Sequence, residues 1–168
     1  MRKIFPKNFA WHFPKSRKEE AEFGKGRKGI PVCKFCDAVY WKKSWHHSIN
    51  DFEGIDKEKD IKFIICPACQ MIEDNKYEGE VIIENVPVEK REKLENLINK
   101  FGENAFDRDP MDRIISIQTI AKGMIRVLTT ENQMAQQLVK KIGKTFKGKV
   151  SFLHSKREST LRAKIILQ

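Results

Sequence analysis

Cys33-Lys34-Phe35-Cys36 and Cys66-Pro67-Ala68-Cys69 contain all four cysteines of the chain, in two pairs with two residues between partners. That spacing lets one tight turn aim both sulfurs of a pair at a common point, and two such knuckles supply the four thiolates of a tetrahedral Zn²⁺. Pro67 presets φ for the second turn. The pattern is that of a zinc ribbon with Cys33, Cys36, Cys66 and Cys69 as ligands and Zn²⁺ as cofactor. Four thiolates close the coordination shell, so the metal is expected to hold structure and perform no chemistry. The 29 residues from Asp37 to Ile65 exceed the usual ribbon spacer of roughly 15 to 20, which calls for an insertion or a long hairpin. Two other readings of the cysteines stand beside this one. A redox Cys-x-x-Cys site needs a βαβ context and accounts for one pair only, and two disulfides suit a secreted chain.

Working outward from the cysteines, residues 1–30 form a basic aromatic arm, 31–78 the ribbon and 79–168 an α+β domain. The arm carries nine Lys or Arg against three Glu, interleaved with Phe5, Phe9, Trp11, Phe13 and Phe23, and has neither helical nor strand periodicity. Lys7, Lys15, Arg17, Lys18, Lys25, Arg27 and Lys28 are placed to neutralise phosphates, and Phe9, Trp11 and Phe13 to stack on unpaired bases. In the ribbon, Trp41-Lys42-Lys43-Ser44-Trp45 repeats that mixture of rings and cations. His46 and His47 beside it are read as loop histidines, since four cysteines already complete a metal shell.

From Gly79 the periodicity becomes regular. Val81–Ile83 reads as a strand, and Val88–Phe101 as a helix with Leu94, Leu97, Ile98 and Phe101 on one face and Gly102 as its stop. Ile114–Ile120 and Met124–Leu128 read as a hairpin about Lys122-Gly123. Thr130 is expected to cap a helix through Phe146 whose apolar stripe is Met134, Leu138, Ile142 and Phe146. Lys140, Lys141, Lys144 and Lys147 near its end are accounted for by the helix dipole and solvation. Strands at Val150–Leu153 and Leu161–Leu167, joined by a turn over Ser155–Ser159, complete a β-α-β-β-α-β-β order. That order is close to a split β-α-β fold with one extra strand, both helices on one face of an antiparallel-rich sheet. The other face is expected to present Arg126, Lys149, Arg162 and Lys164 to a polyanion.

The net charge of +10 over 168 residues makes nucleic acid the expected partner. No apolar run of signal-peptide length opens the chain, and no stretch approaches the about 20 apolar residues of a membrane span. A cytoplasmic protein without a membrane partner is the resulting expectation. Gly-rich phosphate loops, His-x-x-x-His pairs and nucleophile elbows are missing from the sequence, so neither an enzyme nor a small-molecule substrate is expected.

Cys33-x-x-Cys36, Cys66-Pro67-x-Cys69 and the run from Gly123 through Thr129, Thr130 and Glu131 to Ala135 resemble a family of uncharacterised bacterial zinc-ribbon proteins. That family is distantly similar to the archaeal and eukaryotic adaptor for export of the large ribosomal subunit. The likeness spans roughly residues 31–168. It implies binding to ribosomal RNA or to the large subunit. Export adaptors carry further cysteine pairs and transport segments that this chain lacks, so export itself is not implied. A docking module within transcription or translation machinery is the alternative.

Overall fold

The computed structural model describes residues 29–48, 50, 61–154 and 160–168. The expected arm residues Lys7 to Lys28 and the turn over Ser155–Ser159 lie outside them.

The ribbon is built on a four-stranded sheet in the order β3-β2-β1-β4, with β1 Ile30–Cys33, β2 Val39–Trp41, β3 Ser44–His46 and β4 Ile61–Ile64. Strands β1 and β4 run parallel, each leading into a cysteine pair. Ile30, Val32 and Val39 are buried together, with Trp41 packed against them. His46, expected in a loop, belongs to β3 together with Trp45. The hairpin β2–β3 pairs Tyr40 with Trp45 and closes Trp41 against Ser44 around Lys42-Lys43. Both lysines have positive φ, 48° and 70°, which is the left-handed pair that a two-residue turn needs to follow the twist of its strands.

The second sheet has the order β6-β7-β5-β9-β8, from β5 Gly79–Glu84, β6 Ile114–Ala121, β7 Met124–Thr129, β8 Lys149–His154 and β9 Leu161–Ile166. Central β5 pairs antiparallel with β7 and parallel with β9, and the two outer pairings are antiparallel. The extra strand β9 inserts between β5 and β8, so the sheet is mixed. The ribbon contains a helix α1, Pro67–Glu73. Helices α2, Val88–Arg108, and α3, Asn132–Phe146, cover one face of the second sheet. They bury Leu94, Ile98, Phe101, Leu138, Val139 and Ile142 against Val81, Ile83, Ile125, Val127 and Ile165. Each large apolar side chain removed from water in this way contributes about 1.5–3 kcal/mol.

Two helix boundaries differ from expectation for reasons of packing. Helix α2 runs through Gly102, because that glycine is needed for close approach: a Cβ there would stand 2.8 Å from Ile114 Cδ1. The helix ends instead before Asp109-Pro110, where the residue ahead of proline leaves the α region. Helix α3 is capped by Glu131 without a side-chain bond. Thr130 is occupied elsewhere: its hydroxyl donates to Met111 O at 2.7 Å and accepts from Arg113 N at 2.9 Å. At the far end Lys147 takes the left-handed conformation, φ 56°, while Gly148 packs against Ile165.

Candidate metal centre and cationic surfaces

The first knuckle is a turn in which Asp37 N donates to Cys33 O and Cys33 N to Ala38 O, at 2.9 and 2.8 Å. Asp37 supplies the positive φ of 58° that reverses the chain. The second knuckle opens helix α1. Cys66 is its N-cap, accepting from Cys69 N at its sulfur, and Pro67 occupies the first turn where no backbone donor is required. Cys33 Sγ accepts from Cys66 N at 3.3 Å, which ties the two knuckles together. The four sulfurs lie within 4.8 Å of one another, and Cys36 Sγ is 3.6 Å from Cys66 Sγ. A tetrahedron with metal–sulfur bonds of about 2.3 Å has edges of roughly 3.8 Å. The cluster matches that size and can hold a metal ion.

Burial and mutual repulsion govern how these thiols ionise when no cation is bound. Burial pushes the Cys66 thiol far up. Burial also raises Cys69, to about 12, with the Cys36 and Cys33 sulfurs adding repulsion. At Cys33 burial works in the same direction but is outweighed by backbone N–H donors from Cys66, Phe35 and Cys36, bringing it down to about 7. Raised thiols such as Cys66 and Cys69 stay protonated unaided, whereas a bound divalent cation favours the thiolate form of its ligands. The two histidines stand apart from the cluster. His46 Nε2 donates to Trp41 O at 3.2 Å and braces the hairpin, and the His47 ring meets Phe106 of α2 edge-on at 4.7 Å.

The hairpin tip brings Lys42 and Lys43 out into solvent, between the half-buried rings of Trp41 and Trp45. On the face of the second sheet away from the helices, three of the four expected cations are engaged within the protein. Glu80 binds Arg126 Nε through Oε1 and Arg162 Nε, at 3.2 Å, through Oε2. Arg126 also donates to Tyr77 OH at 3.2 Å, and Lys164 pairs with Glu84 at 2.9 Å. Because β5 lies between β7 and β9, its outward carboxylates Glu80 and Glu84 sit beside the cations of both neighbours, a juxtaposition that strand assignment alone does not reveal. Lys149, on edge strand β8, is exposed.

A separate cationic region lies on the helical layer. Lys90, Lys93 and Lys147 line a recess of about 370 Å³ with Thr145, Phe146 and Gln168, and Lys141 Nζ stands 5.5 Å over the Phe101 ring of α2. Read from the sequence, the α3 lysines belong to helix termination; their position opposite the lysines of α2 emerges only from the docking of the two helices. No helix among the described residues is long and apolar enough to cross a membrane. Compared with known proteins, the chain matches no family model, no curated protein and no solved structure.

Proposed function

We propose that this is a non-enzymatic, cytoplasmic zinc protein that binds RNA, with ribosomal RNA or the large ribosomal subunit as its target. The observation that carries the reading is the four-sulfur cluster. Thiolates in a closed tetrahedral set suit Zn²⁺, which needs no preferred d-electron geometry and offers no redox chemistry. A closed shell makes the metal a staple for the ribbon. The RNA half of the proposal rests on the net charge of +10 and on the exposed Lys42-Lys43 tip, which supply phosphate contacts of low sequence specificity. The resemblance in the cysteine pairs and the Gly123–Ala135 run supports the ribosomal target.

A second reading, docking onto a protein, is favoured by the apolar surface of the ribbon. Phe35 and Phe63 are 58% and 68% exposed, and Phe35, Cys69 and Ile72 line an apolar depression. Co-sedimentation with ribosomal subunits in a low-salt gradient, repeated after nuclease treatment, separates the two. RNA binding predicts co-migration that nuclease and salt abolish; co-migration that survives both replaces it with protein docking. Elemental analysis of the reduced protein is expected to give one zinc per chain, and a value of zero or two defeats the metal assignment.

A further inference from the structure

The lysines of α2 and α3 form one surface. On α2, Lys90, Lys93, Leu97 and Lys100 recur at the spacing of a single helical stripe, which flanks the buried stripe of Leu94, Ile98 and Phe101. Lys141 reaching over Phe101, and the recess shared by Lys90, Lys93 and Lys147, show that this flank faces α3. Helix α3 contains Lys140, Lys141 and Lys144 and not one carboxylate. On α2, Glu92 falls on another face and Glu95 is paired with Arg91, while Glu89, one turn before Lys93, and Glu103 and Asp107, after Lys100, bound the lysine stripe at its two ends. Along the seam, Lys93, Lys100, Lys141, Lys144 and Lys147 are exposed. Lys90 donates to the Gln168 main-chain oxygen at 3.1 Å. The opposite sheet face contrasts with this, because Glu80 and Glu84 hold three cations there.

We propose that the α2–α3 seam is the surface on which an RNA sugar-phosphate backbone lies. This deepens the RNA-binding reading and rests on it. Like-charged side chains gathered along a seam repel one another, and a polyanion relieves that repulsion while releasing its own counterions. From Lys90 to Lys100 the stripe is about 15 Å long at 1.5 Å per residue, and beside it run Lys141 and Lys144 on the second helix and Lys147 just past its end. The rings nearest the seam, Phe101 and Phe146, are buried. They offer no platform for stacked bases, so the seam reads backbone and not sequence.

The test uses the full chain, a short RNA duplex of arbitrary sequence, and two triple variants that remove equal charge. One is Lys93→Gln, Lys141→Gln and Lys144→Gln on the seam; the other is Lys34→Gln, Lys76→Gln and Lys122→Gln, exposed lysines away from it. The seam variant is expected to bind at least tenfold more weakly and to show a salt dependence of log affinity shallower by roughly 2 to 3, near one for each phosphate left without its lysine. The other variant is expected to stay within about threefold of the parent. In the parent protein, bound RNA is expected to shield Lys93, Lys141 and Lys144 from an amine-reactive reagent and to leave Lys149 reactive, a readout independent of how the variants fold. Equal weakening in both variants without selective shielding overturns the seam and leaves the RNA-binding reading standing. A parent protein that binds no RNA at low salt, or binds only anionic vesicles, overturns both.

Discussion

Asp112 shows how a single residue can oppose the fold that contains it. It lines the cleft of about 560 Å³ between α2 and β6. Burial raises its carboxyl above the ordinary value, the nearby Asp109 carboxylate raises it further, and Arg108 offsets only part of this. A carboxyl whose folded value is raised binds its proton more tightly in the native state, so ionisation lowers stability as pH climbs through the carboxylate range. Asp112→Asn is therefore expected to stabilise the protein at pH 7 by about 0.5 kcal/mol, the scale left after solvent screening of a partly exposed group. The gain should vanish below the unfolded carboxylate value, where Asp112 is neutral in both states. Denaturant midpoints of the two proteins across that range check it; a gain independent of pH would assign the effect to something other than charge.

At the scale of elements, the β2–β3 hairpin carries lysine at both positions of a turn that favours Asn-Gly. Each left-handed lysine costs on the order of 1 kcal/mol. The turn persists because Trp45 packs on the cysteine cluster, the Tyr40 and Trp45 rings meet at 5.4 Å, and His46 ties back to Trp41. Replacing Lys42-Lys43 by Asn-Gly is expected to raise ribbon stability by about 1–2 kcal/mol and, on the proposed RNA-binding reading, to reduce affinity for RNA, because the two exposed charges go with the strain. Thermal unfolding of the metal-loaded protein and a salt titration of RNA binding measure the two effects separately. Improved stability with unchanged binding would show that the tip does not contact RNA.

Across the whole molecule, two cores stand side by side. The larger is drawn from residues 81–167 without a cysteine, whereas that of the ribbon is divided into two clusters, Cys33, Ala38, Cys66 and Ala68 in one and Ile30, Val32 and Val39 in the other. Between them run the packing of Met111 on the cysteine cluster and the contact of His47 with Phe106. With the proposed metal as the staple of the four cysteines, chelation should unfold the ribbon, α1 included, yet leave the larger core intact. Circular dichroism after chelation is expected to retain the helical signal of α2 and α3. Complete loss of that signal would make the two cores one cooperative unit.

Whatever depends on neighbours along the chain was legible in the order of residues alone. Cysteine spacing set the knuckles, and the 3.6-residue recurrence of Met134, Leu138 and Ile142 set α3. Alternation marked the strands, and Lys122-Gly123 the hairpin between β6 and β7. Whatever depends on distant segments meeting was settled by folding. Gly102 reads as a helix stop until Ile114 packs on it, and Thr130 reads as a cap until the loop at Met111 claims its hydroxyl. Glu80 looks like one acid among many until β7 and β9 set Arg126 and Arg162 on either side of it. The lysines of α3 read as helix-end charges until α2 brings Lys90, Lys93 and Lys100 alongside. Local geometry follows from bonds and periodicity, which the sequence carries directly, whereas charge pairing and close packing follow from strand order and helix docking, which only the folded chain fixes.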